Sequence, residues 1–260
     1  MEKKGGLRYT HLVKQKQVHT VVIGAGQAGL SVSYCLQQKG IEHVVLEKGK
    51  VANGWRENRW DSFRLITPNS MTLLPGFSYK GPNPYGFDTR DQMIKYFEEY
   101  VNFFHPPLKE NTVVKSASQN KNEFTVKTNK GDYEAKNVVV AIGSFHKPII
   151  PSISNALPKN IVQLHSSEYK NSKQLPKGAV LVVGGGNSGI QIAADLQRSG
   201  RKVYMSVGRL RIVPRRYRGK DFMEWAKLLG VLDRTTDEVT PEIKNLSRAA
   251  LFGTDESVNL

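Results

Sequence analysis

Two glycine-rich turns of the form Gly-x-Gly-x-x-Gly constrain this chain more than any other feature. The first is Gly24-Ala25-Gly26-Gln27-Ala28-Gly29 and the second is Gly184-Gly185-Gly186-Asn187-Ser188-Gly189. Each follows a short apolar run that reads as a strand (18–23 and 180–183) and opens a periodic run that reads as a helix (28–39 and 188–198). Each helix stops at a glycine, Gly40 or Gly200, and another strand-like run follows (42–46 and 202–207). Gly24 to Glu47 spans 23 positions, and Gly184 to Val207 spans the same 23. One such motif is a weak signal, but two βαβ units with matched spacing form a strong one.

Both turns have the chemistry of a diphosphate cradle. The first glycine permits the tight turn, the second lets the backbone approach a pyrophosphate, and the third lets helix and strand pack closely. The helix N-terminus then offers unpaired N–H groups and a partial positive charge to the anion. Candidate binding residues are therefore Gly24, Gly26, Gln27, Ala28 and Gly29 in the first unit, and Gly184, Gly186, Asn187, Ser188 and Gly189 in the second. The end of the second strand separates the ligands. Glu47, with Lys48 beside it, places a carboxylate where it accepts hydrogen bonds from both hydroxyls of an adenosine ribose and repels a 2′-phosphate. FAD or NAD fits there and NADP does not. The second unit has Ser206-Val207-Gly208-Arg209 in that region, with Arg211, Arg215 and Arg216 following. A guanidinium fork suits a 2′-phosphate, so NADPH is expected there in preference to NADH.

Residues 49–84 are rich in Gly, Pro, Asn and aromatics, too irregular for one regular element and too apolar for disorder; such segments often wrap a ligand. Residues 89–104 carry a helical period, with Met93, Tyr96, Phe97, Tyr100 and Phe104 on one core-facing stripe. Short alternating segments at 113–117, 124–128 and 132–135 read as an antiparallel meander, after which 138–142 returns as a buried strand. The expected fold is α/β, with two Rossmann-like dinucleotide-binding domains, 1–150 and 151–260, and an antiparallel β-meander inserted in the first.

Composition removes several alternatives. The net charge of +15 invites a nucleic-acid reading, but the cations are scattered apart from one dense run at 209–220, and aromatics are not interleaved for base stacking. No apolar run reaches the roughly 20 residues of a membrane-spanning helix. The basic, polar N-terminus lacks a secretory signal, so a cytoplasmic location is expected. Cys35 is the single cysteine, so a cysteine metal site or an intrachain dithiol is absent from these 260 residues, and its apolar helical surroundings predict a buried side chain. A homodimer is one assembly the sequence permits.

Two such units around a meander, with Ala141-Ile142-Gly143 closing the first, are similar to flavoproteins with two dinucleotide domains. Gly54-Trp55-Arg56 and Arg59-Trp60-Asp61-Ser62-Phe63-Arg64-Leu65-Ile66-Thr67-Pro68 resemble the flavin-wrapping segment of bacterial flavin-containing monooxygenases and plant indole-pyruvate (YUCCA-type) monooxygenases. Leu74-Pro75-Gly76-Phe77 does so too. His165-Ser166-Ser167-Glu168-Tyr169 matches the end of that family's identifying motif, while Lys159 and Ile161 stand at its aromatic and glycine positions. Tyr169 leans toward the N- and S-oxygenating branch and away from the Baeyer-Villiger branch.

The resemblance implies FAD in the first domain and NADPH in the second. It implies a monooxygenase in which reduced flavin captures O2 as a C4a-hydroperoxide that oxygenates a small N-, S- or indole-pyruvate-type substrate. Trp55, Arg56, Thr67, Val113, Ala141 and Gly143 join the FAD contacts on this basis. Asn69, offset by one from the asparagine of animal relatives, either donates a hydrogen bond to the peroxide or holds the turn after Pro68. His165 either acts in catalysis or bonds backbone in the linker. In relatives the chain returns from the NADPH domain to complete the FAD domain; no such return is visible here, although 253–257 resembles its start. The alternative is a flavoprotein fragment, or an NADPH oxidase or reductase that transfers no oxygen to substrate.

Overall fold

The computed structural model describes residues 16–145, 147–208, 211–241 and 249–251. In chain order the elements begin with β1 (Lys16–Ile23), α1 (Gln27–Gln38), β2 (His43–Leu46), α2 (Asn53–Glu57), β3 (Leu73–Leu74), β4 (Phe77–Ser78) and α3 (Arg90–Phe104). Next come β5 (Leu108–Lys109), β6 (Val114–Asn120), β7 (Glu123–Thr128), β8 (Tyr133–Val140), β9 (Val180–Val183), α4 (Asn187–Arg198) and β10 (Val203–Ser206). The last are β11 (Arg211–Val213), β12 (Arg216–Tyr217), β13 (Lys220–Asp221), α5 (Phe222–Leu228) and β14 (Ala249–Leu251). The chain divides into two compact units, Met1–Asn53 with Val101–Ser144, and Gly54–Tyr100 with Phe145–Leu260. No helix among the described residues is long and apolar enough to cross a membrane.

The first unit is a mixed α/β arrangement around a six-stranded sheet of order β5-β2-β1-β8-β7-β6. The β5-β2-β1-β8 ladder is parallel, and β8-β7-β6 is antiparallel. Val21, Val44 and Leu46 from the parallel strands pack with Val126, Tyr133 and Ala135 from the antiparallel ones. Fully burying an aliphatic side chain of this size stabilises by about 1.5–3 kcal/mol. Register places Ile23 opposite both Leu46 and Val140, so three strands end at one level. That is what brings Gly24, Glu47 and Ala141 together: Gly24 N–H donates to the Leu46 carbonyl and Ala141 N–H to the Ile23 carbonyl, each at 2.8 Å.

Two expectations are corrected here. The segments expected separately at 132–135 and 138–142 form the single strand β8, because its first residues pair with β7 while its whole length pairs with β1. Its last residue, Val140, is exposed and not buried, as is Ile142 beyond the strand. Cys35 is also exposed. Helix α1 turns Gly29, Leu30 and Ser33 inward, and two residues beyond Ser33, at 3.6 residues per turn, the chain faces the other way. The inward Ser33 meets His43 of β2: the His43 Nδ1–H donates to the Ile41 carbonyl at 2.9 Å, leaving Nε2 to accept from the Ser33 hydroxyl at 2.8 Å.

In the second unit, β9 and β10 pair in parallel with Val183 opposite Ser206. Helix α4 supplies Ile192, Ala193 and Leu196 to a core completed by Val182, Trp60 and Tyr169. Only one face of β9 is packed, so Leu181 and Val183 are exposed while Val182 is buried. The stripe expected on α3 is buried throughout. Its tyrosines anchor the preceding irregular segment: the Tyr96 hydroxyl donates to the Phe77 carbonyl and that of Tyr100 to the Pro75 carbonyl, each at 2.9 Å.

Candidate active site

The first glycine turn sits where β1, β2 and β8 end. Gly24 adopts φ +106°, and a Cβ there would lie 2.5 Å from the Ala141 carbonyl oxygen. A Cβ on Gly29 would lie 1.8 Å from the Gly24 carbonyl oxygen. Both glycines are thus demanded by the protein's own packing. Gly26 is different: its φ of −91° is open to any L-residue, and a Cβ would meet no protein atom within 4 Å. Gly26 borders open space at the N-terminus of α1, where no side chain caps the helix and no acid occupies the first turn. Gln27 and Ala28 are exposed at the same edge. Unpaired N–H groups beside a bare backbone are the chemistry a diphosphate requires, so the residues fit such a group.

Glu47 is buried at this edge, its Oε2 accepting the Ala25 N–H at 2.8 Å and its Oε1 the Gly49 N–H at 3.1 Å. Two backbone donors fix the carboxylate in place, and each oxygen keeps a lone pair for a ligand hydroxyl. Ala25, whose methyl side chain has no polar chemistry, contributes through its amide. Lys48 is exposed. Ala141 is half-buried beside Gly24, Gly143 adopts φ +76°, and Val113 is exposed with its N–H on Asn129 Oδ1 at 2.8 Å.

The second turn repeats this arrangement. Gly184 adopts φ +111°, a Cβ on Gly189 would lie 2.0 Å from the Gly184 carbonyl oxygen, and one on Gly186 would meet nothing within 4 Å. Helix α4 likewise has no side-chain cap. Asn187 Oδ1 is buried without a hydrogen-bond partner among the described residues, and Ser188 is exposed. Ser206, Val207 and Gly208 are exposed and carry no acid. Arg209 lies outside the described residues, as does the 253–257 stretch. Arg215, a member of the arginine run after Arg209, is engaged within the protein. Its Nε donates to Asp221 at 2.6 Å and its Nη1 to the Ile66 carbonyl at 2.6 Å, and its guanidinium stacks 4.3 Å from the Phe87 ring centre.

The 54–69 segment is built within the second unit. Trp55 meets Phe63 edge-on at 5.6 Å, Arg56 pairs with Glu98 at 2.5 Å, and Thr67 is half-buried. Asn69 is almost wholly enclosed: Nδ2 donates to the Asn83 carbonyl at 2.9 Å, and Oδ1 accepts the Asp88 N–H at 2.7 Å. His165 closes a five-residue turn. Its Nδ1 accepts the Ser167 N–H at 3.2 Å, and its own N–H donates to Glu168 at 2.8 Å. Tyr169 is core, donating to Asp195 at 2.6 Å; burial, and then the carboxylate that accepts its proton, push its pKa up.

Fold and paired turns define an α/β protein with two glycine turns of one geometry. The model of the pyridine nucleotide-disulphide oxidoreductase family matches residues 21–221, and the chain belongs to that family; it is an oxidoreductase. It is 41% identical over 236 residues to the uncharacterized oxidoreductase CzcO of Bacillus subtilis (strain 168), covering 90% of this chain and 68% of that protein. It is 30% identical over 205 residues to the probable indole-3-pyruvate monooxygenase YUCCA1 of Arabidopsis thaliana, covering 76% of this chain and 49% of that one. Among solved structures, a flavin-containing monooxygenase from Stenotrophomonas maltophilia superposes with a TM-score of 0.67 at 23% identity, covering 92% of this chain and 71% of that one. The chain therefore spans about two thirds of CzcO and about half of YUCCA1.

Proposed function

We propose that the protein is an FAD- and NADPH-dependent monooxygenase of the cytoplasm that acts on a small soft nucleophile of N-, S- or indole-pyruvate type. The reaction consumes O2, NADPH and a proton, inserts one oxygen atom into substrate, and releases water and NADP+. The observation that carries the reading is the Glu47 carboxylate fixed at a glycine turn whose Gly26 faces open space. A ribose diol can bond Glu47 while the pyrophosphate lies against Gly26, Gln27 and Ala28. Gly184, Gly186, Asn187, Ser188 and Gly189 hold NADPH in the same way, and Arg209 selects its 2′-phosphate.

When bound, FAD supplies the redox chemistry between NADPH and O2. This chain's side chains bind and orient. Trp55, Arg56, Thr67, Val113, Ala141 and Gly143 belong to the FAD contacts in this reading. Asn69 works by bracing the loop from Asn69 to Asp88, since its amide is already engaged at both ends. His165 works by shaping the turn that leads into Tyr169. Disulfide reduction by a protein dithiol would require two sulfurs, and the chain has Cys35 alone.

The test is to purify the protein and follow NADPH oxidation with candidate amines, sulfides and indole-3-pyruvate, measuring oxygenated product and H2O2 together. Substrate-dependent product at the expense of H2O2 is expected. NADPH consumed entirely into H2O2 with every substrate would assign oxidase activity instead.

A further inference from the structure

Arg59 carries a desolvated positive charge that no carboxylate among the described residues neutralises. Its guanidinium carbon lies 5.6 Å from the Trp55 ring centre, 5.5 Å from that of Phe63 and 5.7 Å from that of Phe145. Among the described residues its side chain makes one hydrogen bond, from Nη1 to the Asn58 carbonyl at 2.9 Å. Of the acids in this unit, Asp61 accepts from Arg90 and Asn171, Glu98 from Arg56, and Asp195 from Tyr169, while Glu57, two residues before Arg59, is exposed and makes no ion pair with it. The Lys170 ammonium, resting on the Glu57 and Arg59 carbonyls, adds a second positive charge to the segment. Burial lowers the Arg59 pKa, yet a guanidinium stays protonated at any physiological pH. Aromatic faces stabilise such a cation by about 0.5–2 kcal/mol but supply no acceptor for the in-plane N–H donors beyond the one on the Asn58 carbonyl.

We infer that Arg59 is an anion-binding residue, presenting its N–H edge to a carboxylate or phosphate oxygen of a bound small molecule while Trp55, Phe63 and Phe145 hold its faces. A planar fork of donors matches either oxyanion with two parallel hydrogen bonds, a geometry lysine does not reproduce. If the anion belongs to the substrate, the assignment rests on the proposed oxygenation and narrows it to acidic substrates. If it belongs to the nucleotide, it adds a phosphate contact outside both glycine turns.

The experiment is calorimetric titration of FAD-saturated wild type, R59Q and R59K with phenylacetate, phenylacetamide and NADPH, which reads binding without turnover. An enzyme that binds the anion yet oxygenates nothing thus refutes the monooxygenase reading and keeps this one. Phenylacetate weakened at least tenfold in R59Q, with phenylacetamide unchanged and R59K between, supports a carboxylate. NADPH weakened tenfold with phenylacetate unchanged supports a phosphate. Equal weakening of phenylacetate and phenylacetamide overturns the proposal, because packing and not charge would then be at work. Unchanged binding of both anions in R59Q, or wild type binding neither, overturns it too. Should R59Q fail to fold, R59K carries the test: parity with wild type for both anions overturns the proposal, and at least threefold weakening of one anion with phenylacetamide unchanged supports it.

Discussion

A methyl group on Gly29 would lie 1.8 Å from a backbone oxygen, whereas one on Gly26 would touch no protein atom. The two glycines should therefore fail in different ways. Gly29→Ala forces the turn open and should cost about 2 kcal/mol or more of stability, read by urea unfolding. Gly26→Ala should cost less than about 1 kcal/mol of stability, as Ala for Gly at an N-cap does, and should weaken FAD at least tenfold, or ~1.4 kcal/mol of binding. A fluorescence titration of FAD into both variants checks the split. If Gly26→Ala bound FAD as wild type does, no diphosphate would lie against it. Tyr96 gives a second prediction at this scale. Burial pushes its pKa up from 10.0 to about 12. The folded state then holds a proton that the unfolded state releases, so the stability it contributes is complete below pH 10 and is lost as pH rises from 10 toward 12. Tyr96→Phe should flatten the fall in melting temperature across that window, at a neutral-pH cost of about 1 kcal/mol for the lost bond to the Phe77 carbonyl.

Among elements, α5 shows which ion pairs matter. Asp221 caps the helix through the Met223 N–H at 2.8 Å while Glu224 accepts the Asp221 N–H, a reciprocal capping box. The same Asp221 carboxylate takes Arg215, and both side chains are over nine-tenths buried. Arg56–Glu98 has similar geometry, but its partners are 28% and 48% exposed, so solvent screens it. Arg215→Met, which strands a buried carboxylate, should destabilise by about 3–5 kcal/mol, while Arg56→Met should cost no more than about 1 kcal/mol. Chemical denaturation of both variants decides it; equal costs would mean Arg215 is not an anchor.

The βαβ units and α3 were legible because hydrophobic period and glycine spacing are local signals. In the sequence β8 reads as two segments because the exposed Lys136 and Asn137 interrupt its apolar pattern, and only pairing with β1 on one side and β7 on the other shows that the strand continues. Helix α5 lies outside the expectations although Asp221 and Glu224 stand at capping-box spacing; the surrounding Arg, Lys and Gly masked it. At the first turn, an acid at the end of β2 is legible in the sequence and its fixing by the Ala25 amide is not, since a backbone donor leaves no mark in residue type. Arg215 shows the converse: an arginine run suggested phosphate, and a carboxylate six residues later claims one member of it.

For the molecule as a whole, the proposed function requires two turns of one geometry to serve two nucleotides. Each turn has a positive-φ first glycine, an open second glycine and a packed third, and they differ in the acid at Glu47 against the unacidic 206–208 edge. Anaerobic mixing of the purified yellow protein with equal concentrations of NADPH and, separately, NADH tests this most directly, with the bleaching of bound flavin as the signal. The account predicts one FAD per chain, bleached at least tenfold faster by NADPH than by NADH. A protein that binds no flavin, or whose flavin bleaches no faster with NADPH than with NADH, would contradict it.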